Sequence, residues 1–236
     1  MKLSTNYRSI LSALLSLVLF FSFTSKANAQ YYPDNKDNVY VHQNTAEKKI
    51  ALTFDDGPHP SKTPKILDVL DKYGVKATFF VIGENAKLYP DVLRDVHARG
   101  HEIGNHTFSH KCINKMSFSS LLETVSKCNE AIKEITGEKP VFFRPPQGYV
   151  NDGIAEQLYS EGYDVILWRV DTYDWQGRSA EKIYNSVIKS VKCGDIILMH
   201  DFISYESHTA EALELIIPKL ISDGYEFVTV SELIDN

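Results

Sequence analysis

Cysteine is scarce in this chain: Cys112, Cys128 and Cys193 are the only three in 236 residues, too few to staple a disulfide-built scaffold. Cys112 and Cys128 offer one pairing that leaves Cys193 single, and no two have the Cys-x-x-Cys spacing of a structural zinc site. Positive charge is short as well. There are 25 Lys+Arg against 31 acids, a formal net charge of -6, which speaks against a nucleic-acid partner and against simple attraction to anionic polymers. No heptad, internal repeat or separate sugar-binding module stands out, and no long apolar run follows the N-terminus.

The N-terminus itself reads as a leader. Lys2 and Arg8 precede an apolar stretch from Ile10 to Phe23, and Ala27-Asn28-Ala29 supplies the small residues that a signal peptidase needs. The stretch is short for a membrane span and is interrupted by Ser12, Ser16 and Ser22. Cleavage before Gln30 predicts export to a periplasm or to the exterior, with no stable membrane span afterwards. It removes Lys2, Arg8 and Lys26, so -6 becomes -9, and it leaves 207 residues, enough for one domain. Residues 30–47 are polar and turn-rich and read as an extended arm; residues 48–236 form the domain.

Within that domain short apolar strands alternate with helical patterns about seven times. Strands are expected at 50–54, 77–82, 101–104, 141–143, 163–169, 195–199 and 227–230. Helices are expected at 64–73, 90–99, 117–136, 152–161, 179–191 and 209–222, several ended by glycine. This order predicts a parallel α/β sheet, open or closed into a barrel. Asp55, Asp56, His106, His110, Arg144, Asp171, Asp174 and His200 all fall at or just beyond strand C-terminal ends. Those ends share one rim, where the active sites of such barrels are built.

The first of these strands stops at two adjacent carboxylates, Asp55 and Asp56, before Gly57-Pro58. Neighbouring strand residues point to opposite faces, so both acids serve one site only where the strand leaves its regular pleat. His106 and His110 are four apart, a spacing that on a helical turn puts both imidazoles on one face. Thr107 stands where a zincin needs glutamate, so that motif is excluded. A third ligand from Asp55 or Asp56 would complete a His-His-carboxylate metal site with open positions. The spare aspartate then suits a general base, and His200 a general acid.

These residues resemble the motifs of the polysaccharide deacetylases of carbohydrate esterase family 4. Thr53-Phe54-Asp55-Asp56-Gly57-Pro58 looks like the first motif, His106-Thr107-Phe108-Ser109-His110 the second, and Arg144-Pro145-Pro146-Gln147-Gly148 the third. Asp171-Thr172-Tyr173-Asp174-Trp175 looks like the fourth and Leu198-Met199-His200 the fifth. The resemblance implies a single-domain distorted (β/α)7 barrel and metal-dependent removal of acetyl groups from an acetylated polysaccharide. It implies Asp55 as base, Asp56, His106 and His110 as ligands of one divalent ion (zinc foremost, cobalt or nickel as substitutes), and Arg144 orienting the base. It further implies Asp171 holding the acid His200, Leu198 against the acetyl methyl, and Pro146, Gln147, Asp174 and Trp175 along the substrate groove. One departure is Gln147, where the family commonly has an aromatic residue. The backbone N–H at that position is the expected oxyanion donor and survives the change; the aromatic wall does not. From the resemblance, N-deacetylation of an N-acetylglucosamine polymer such as peptidoglycan, chitin oligomers or poly-N-acetylglucosamine is expected. O-deacetylation of xylan and a non-catalytic sugar-binding role are the rivals.

Overall fold

Period-two patterning decides the first central strand. In β2 (Lys49–Asp55), Ile50, Leu52 and Phe54 belong to the large core beneath the helices, while Ala51 belongs to the interior cluster of the sheet's concave side. Thr53 and Asp55 continue on the face of Ala51. The structure, a computed structural model, describes residues 35–36 and 38–235; the leader assigned to 1–29, with residues 30–34 and 37 of the arm, lies outside them.

The remaining strands are β1 (Val39–Tyr40), β3 (Thr78–Val81), β4 (Glu102–Asn105), β5 (Phe142–Phe143), β6 (Asp164–Ile166), β7 (Val170–Asp171), β8 (Ile196–His200) and β9 (Glu226–Val228). Their order is β1-β6-β5-β4-β3-β2-β8-β7, with β9 beside the N-terminal half of β2. Every strand pair is parallel. The helices are α1 (Thr63–Tyr73), α2 (Gly83–Leu88), α3 (Pro90–Ala98), α4 (Phe118–Thr136), α5 (Asp152–Ser160), α6 (Ala180–Ile188), α7 (Thr209–Ser222) and α8 (Val230–Ile234). The result is the expected distorted barrel with the strand C-terminal ends on one rim.

Three local expectations are corrected, and the open question of the cysteines is answered. The strand expected over 163–169 is shorter, β6 ending at Ile166, and a strand not expected, β7, follows it: β6 pairs with β5 and β1, and after three residues β7 pairs with β8. This partner switch links the two ends of the sheet and gives the barrel its seam. The last strand stops at Val228, because Thr229 and Glu232 form a capping box that starts α8. Val230 and Leu233 of α8 then pack with Ala51, Phe80, Ile166 and Ile196. The arm is not wholly irregular: Val39 and Val41 are buried, and β1 pairs with β6. The cysteines are unpaired, and Cys128 is buried with its thiol directed at the Val81 carbonyl.

Candidate active site

The rim gathers Asp55 and Asp56 from β2, His106 and His110 from the loop after β4, Arg144 from the end of β5, and His200 from the end of β8. Asp56 has φ 76, a left-handed backbone that breaks the strand's alternation. Both carboxylates thereby reach one site. His106 Nε2 lies 3.8 Å from Asp55 Oδ2 and 3.5 Å from Asp56 Oδ1, and His110 Nε2 lies 3.2 Å from Asp56 Oδ1.

The two histidines do not sit on a helical turn, as their spacing suggested. They flank an irregular loop in which Thr107 (φ 67) and His110 (φ 52) are left-handed, and their ring centroids are 4.9 Å apart. Asn105 holds this loop. Its Oδ1 accepts from the Thr107 N–H at 2.8 Å, and its Nδ2 donates to Val125 O and Asn129 Oδ1. Thr107 Oγ1 in turn accepts from the His110 N–H. Asn105 was missed in the sequence, where an asparagine closing a strand looks like an ordinary turn residue.

The donor set fits a divalent cation. Asp56, His106 and His110 each offer one ligand atom, all within 4.8 Å of one another. His106 Nδ1 lies 2.6 Å from the Arg144 carbonyl, which fixes the proton on Nδ1 and leaves the Nε2 lone pair facing the cluster. Asp56 Oδ1 is buried without a hydrogen-bond partner, an orphan that a cation would satisfy. Burial works to lower the His106 pKa, yet the facing carboxylates of Asp55 and Asp56 carry it above its ordinary value. This part of the site attracts positive charge.

Asp55 is gripped from behind. Arg144, fully buried, donates from Nη1 to Asp55 Oδ1 and to Thr53 Oγ1, each at 2.7 Å. Its Nε and Nη2 donate to the carbonyls of Ile166 and Leu167 at 3.1 and 2.9 Å, and its guanidinium lies 4.0 Å from the Phe80 ring centroid. Parallel pairing of β5 with β6 ends at Phe143 and Val165, so the guanidinium takes over the carbonyls at the seam.

The acid's partner is a correction. His200 Nδ1 bonds Asp174 Oδ1 at 2.8 Å, while Asp174 Oδ2 accepts from the His200 N–H and the Thr209 hydroxyl. Asp174 is 1 % exposed, so it braces the acid and does not line a groove. Asp171, expected to hold His200, instead accepts from the Tyr173 N–H; a three-residue offset within one turn decides which carboxylate reaches the imidazole. Burial works to lower His200, but the hydrogen bond and charge of Asp174 outweigh it, and its pKa is pushed up to about 9. Asp174→Asn removes that charge, so the alkaline limb of kcat/KM is expected to move below about 9, toward the ordinary histidine value of about 6.5. A limb that stays in place would break the assignment.

Leu198 is 3 % exposed and lies two residues before His200, on the same strand face. Pro146 is buried. Gln147 is exposed with φ 61, in a turn whose two bonds are donated by the amides of Gly148 and Tyr149. Trp175 is 45 % exposed.

Asp201 was not foreseen. It is buried, accepts from the Thr63 hydroxyl at 2.6 Å, and burial pushes its carboxyl up to about 7. A Cβ on Gly57 would meet Asp201 Oδ2 at 2.0 Å, so only glycine fits between the acid pair and this carboxyl. Gly57→Ala is expected to lower the thermal midpoint by several degrees, as overpacking of about 1–3 kcal/mol does; an unchanged midpoint would show that the carboxyl swings away freely.

The barrel rim brings together a buried carboxylate–arginine pair, an imidazole braced by a second carboxylate, and a His-His-Asp donor set that fits a cation. Residues 42–166 match the model of the polysaccharide deacetylase family. The chain is 43 % identical over 190 residues to a peptidoglycan-N-acetylglucosamine deacetylase of Bacillus cereus, covering 80 % of this chain and 89 % of that one. It superposes on the Bc1960 peptidoglycan N-acetylglucosamine deacetylase with a TM-score of 0.81 at 36 % identity, covering 84 % and 94 % of the two chains. On a cobalt-containing family 4 acetyl xylan esterase of Clostridium thermocellum the TM-score is 0.73 at 40 % identity, covering 79 % and 90 %. The chain belongs to the polysaccharide deacetylases of carbohydrate esterase family 4 and is an enzyme of that class.

Proposed function

We propose that the protein is an exported, zinc-dependent N-deacetylase acting on N-acetylglucosamine-containing glycan, with peptidoglycan as the first substrate to test. The observation that carries this reading is that one rim holds an arginine-bound carboxylate, Asp55, an imidazole, His200, whose Nδ1 is bonded to the buried Asp174, and the Asp56-His106-His110 donor set. An ion held by Asp56, His106 and His110 would polarise the acetyl carbonyl and acidify water at the site. Asp55, oriented by Arg144, takes the proton of the attacking water. The Gln147 N–H faces developing negative charge on the carbonyl oxygen. His200 delivers its Nε2 proton to the departing nitrogen while Asp174 holds Nδ1.

That last step favours amide over ester. An amine leaves only when protonated, and an acid with a raised pKa is loaded for this at neutral pH. Support for peptidoglycan comes from the Bacillus cereus relative, for export from Lys2, Arg8 and Ala27-Asn28-Ala29, and for zinc from the mixed imidazole and carboxylate donors.

The test is acetate and free-amine release from peptidoglycan, N-acetylglucosamine oligomers and acetylated xylan, before and after chelation and zinc reloading. Amine appearing with acetate from the first two, lost on chelation and restored by zinc, is the expected result. Acetate from xylan alone would replace the reading by an O-deacetylase. Sugar binding without any release would replace it by a non-catalytic sugar-binding domain.

A further inference from the structure

Three exposed aromatic residues gather beside the acid on two different loops. Tyr173 and Trp175, 40 % and 45 % exposed, lie in the turn after β7 with ring centroids 6.5 Å apart. Tyr205, 67 % exposed, lies in the loop between β8 and α7, and its Cβ is 3.4 Å from where Gly177 would carry a Cβ. The turn bearing Trp175 and the loop bearing Tyr205 therefore touch.

The Tyr205 loop is tethered to the neighbouring loop that follows β2. Lys62 Nζ donates to the carbonyls of Ile203 and Tyr205, and the His59 ring meets Phe202 edge-on at 4.6 Å. Tyr173 is steadied by the Arg178 guanidinium 4.5 Å from its ring. Large aromatic rings kept in water cost free energy, and when clustered at the edge of a site they mark where a ligand covers them. Each ring offers a flat apolar face with a polar tip, the complement of a sugar ring with one C–H face and hydroxyls at its edge.

We propose that Tyr205, packed against the turn whose Trp175 the family resemblance already places along the groove, extends that wall into an aromatic platform on the His200 side of the site that binds a neighbouring sugar of the glycan strand. The proposal rests on the deacetylase reading for its ligand. It makes Tyr205 a chain-length determinant that supplies aromatic surface from a loop other than the one bearing Gln147.

The test is calorimetric binding of N-acetylglucosamine, its dimer and its tetramer to the zinc-loaded mature chain, with acetate release measured in parallel. Wild type is expected to bind tetramer more tightly than monomer. Tyr205→Ala is expected to weaken the tetramer about 5- to 10-fold, as loss of one stacking ring does, with the effect fading as the oligomer shortens; Tyr205→Phe retains the ring and restores binding. An equal loss for monomer and tetramer would assign Tyr205 to loop structure and overturn the platform, as would an unchanged tetramer affinity. Length-dependent binding without acetate release from wild type would uphold the platform and sink the deacetylase reading instead.

Discussion

Asp55→Asn is expected to lower kcat/KM by about 100- to 10,000-fold, the usual contribution of a positioned general base. The asparagine oxygen can still accept from Arg144 Nη1, which now bonds Asp55 Oδ1 at 2.7 Å, but the amide cannot take a proton. Asp56, His106 and His110 are untouched, so metal content should match wild type. Measuring total bound metal, whichever divalent ion it is, beside the rate separates a lost base from a lost ion. A variant with full metal and more than a tenth of wild-type activity would show that the proton goes elsewhere.

Arg144→Met is expected to remove both activity and much of the stability, about 3–5 kcal/mol as for any buried ion pair stripped of one partner. It leaves the Asp55 carboxylate, 3 % exposed, without its cation. It also abandons the carbonyls of Ile166 and Leu167 and the Thr53 hydroxyl, all of which the guanidinium now serves. Asp55→Asn should destabilise less, because Arg144 keeps those three oxygen acceptors when the carboxylate charge goes. Chemical denaturation of the two variants side by side checks this ordering. Equal midpoints would mean that the guanidinium contributes only charge.

Much of this site was legible in the sequence because strand ends are marked by where apolar runs stop. Asp55, Arg144 and His200 each close such a run, and a parallel sheet carries its strand ends to one rim. What was not legible is backbone handedness. Asp56, Thr107, His110, Gln147 and Tyr173 all have positive φ without being glycine; packing imposes the conformation, and their side chains give no sign of it. The choice between Asp171 and Asp174 failed for a related reason: in Asp171-Thr172-Tyr173-Asp174, two carboxylates three residues apart compete for one imidazole, and the left-handed Tyr173 turns the second inward. The early end of β6 was hidden because the apolar run continues through Leu167 and Trp168 after its pairing stops at Ile166. The Thr229–Glu232 capping box was readable in principle but lay within a run that also suits a strand.

The seam between β6 and β7 makes one catalytic side chain part of the wall. Mutational drift that silences the chemistry while sparing the barrel has open routes through His110, which is partly exposed, or through His200, but not through Arg144, whose loss loosens the wall at once. Among folded but inactive variants recovered from a random library, position 144 should therefore be the emptiest of the rim positions. Soluble expression, with no assay of turnover, would be enough to reveal it.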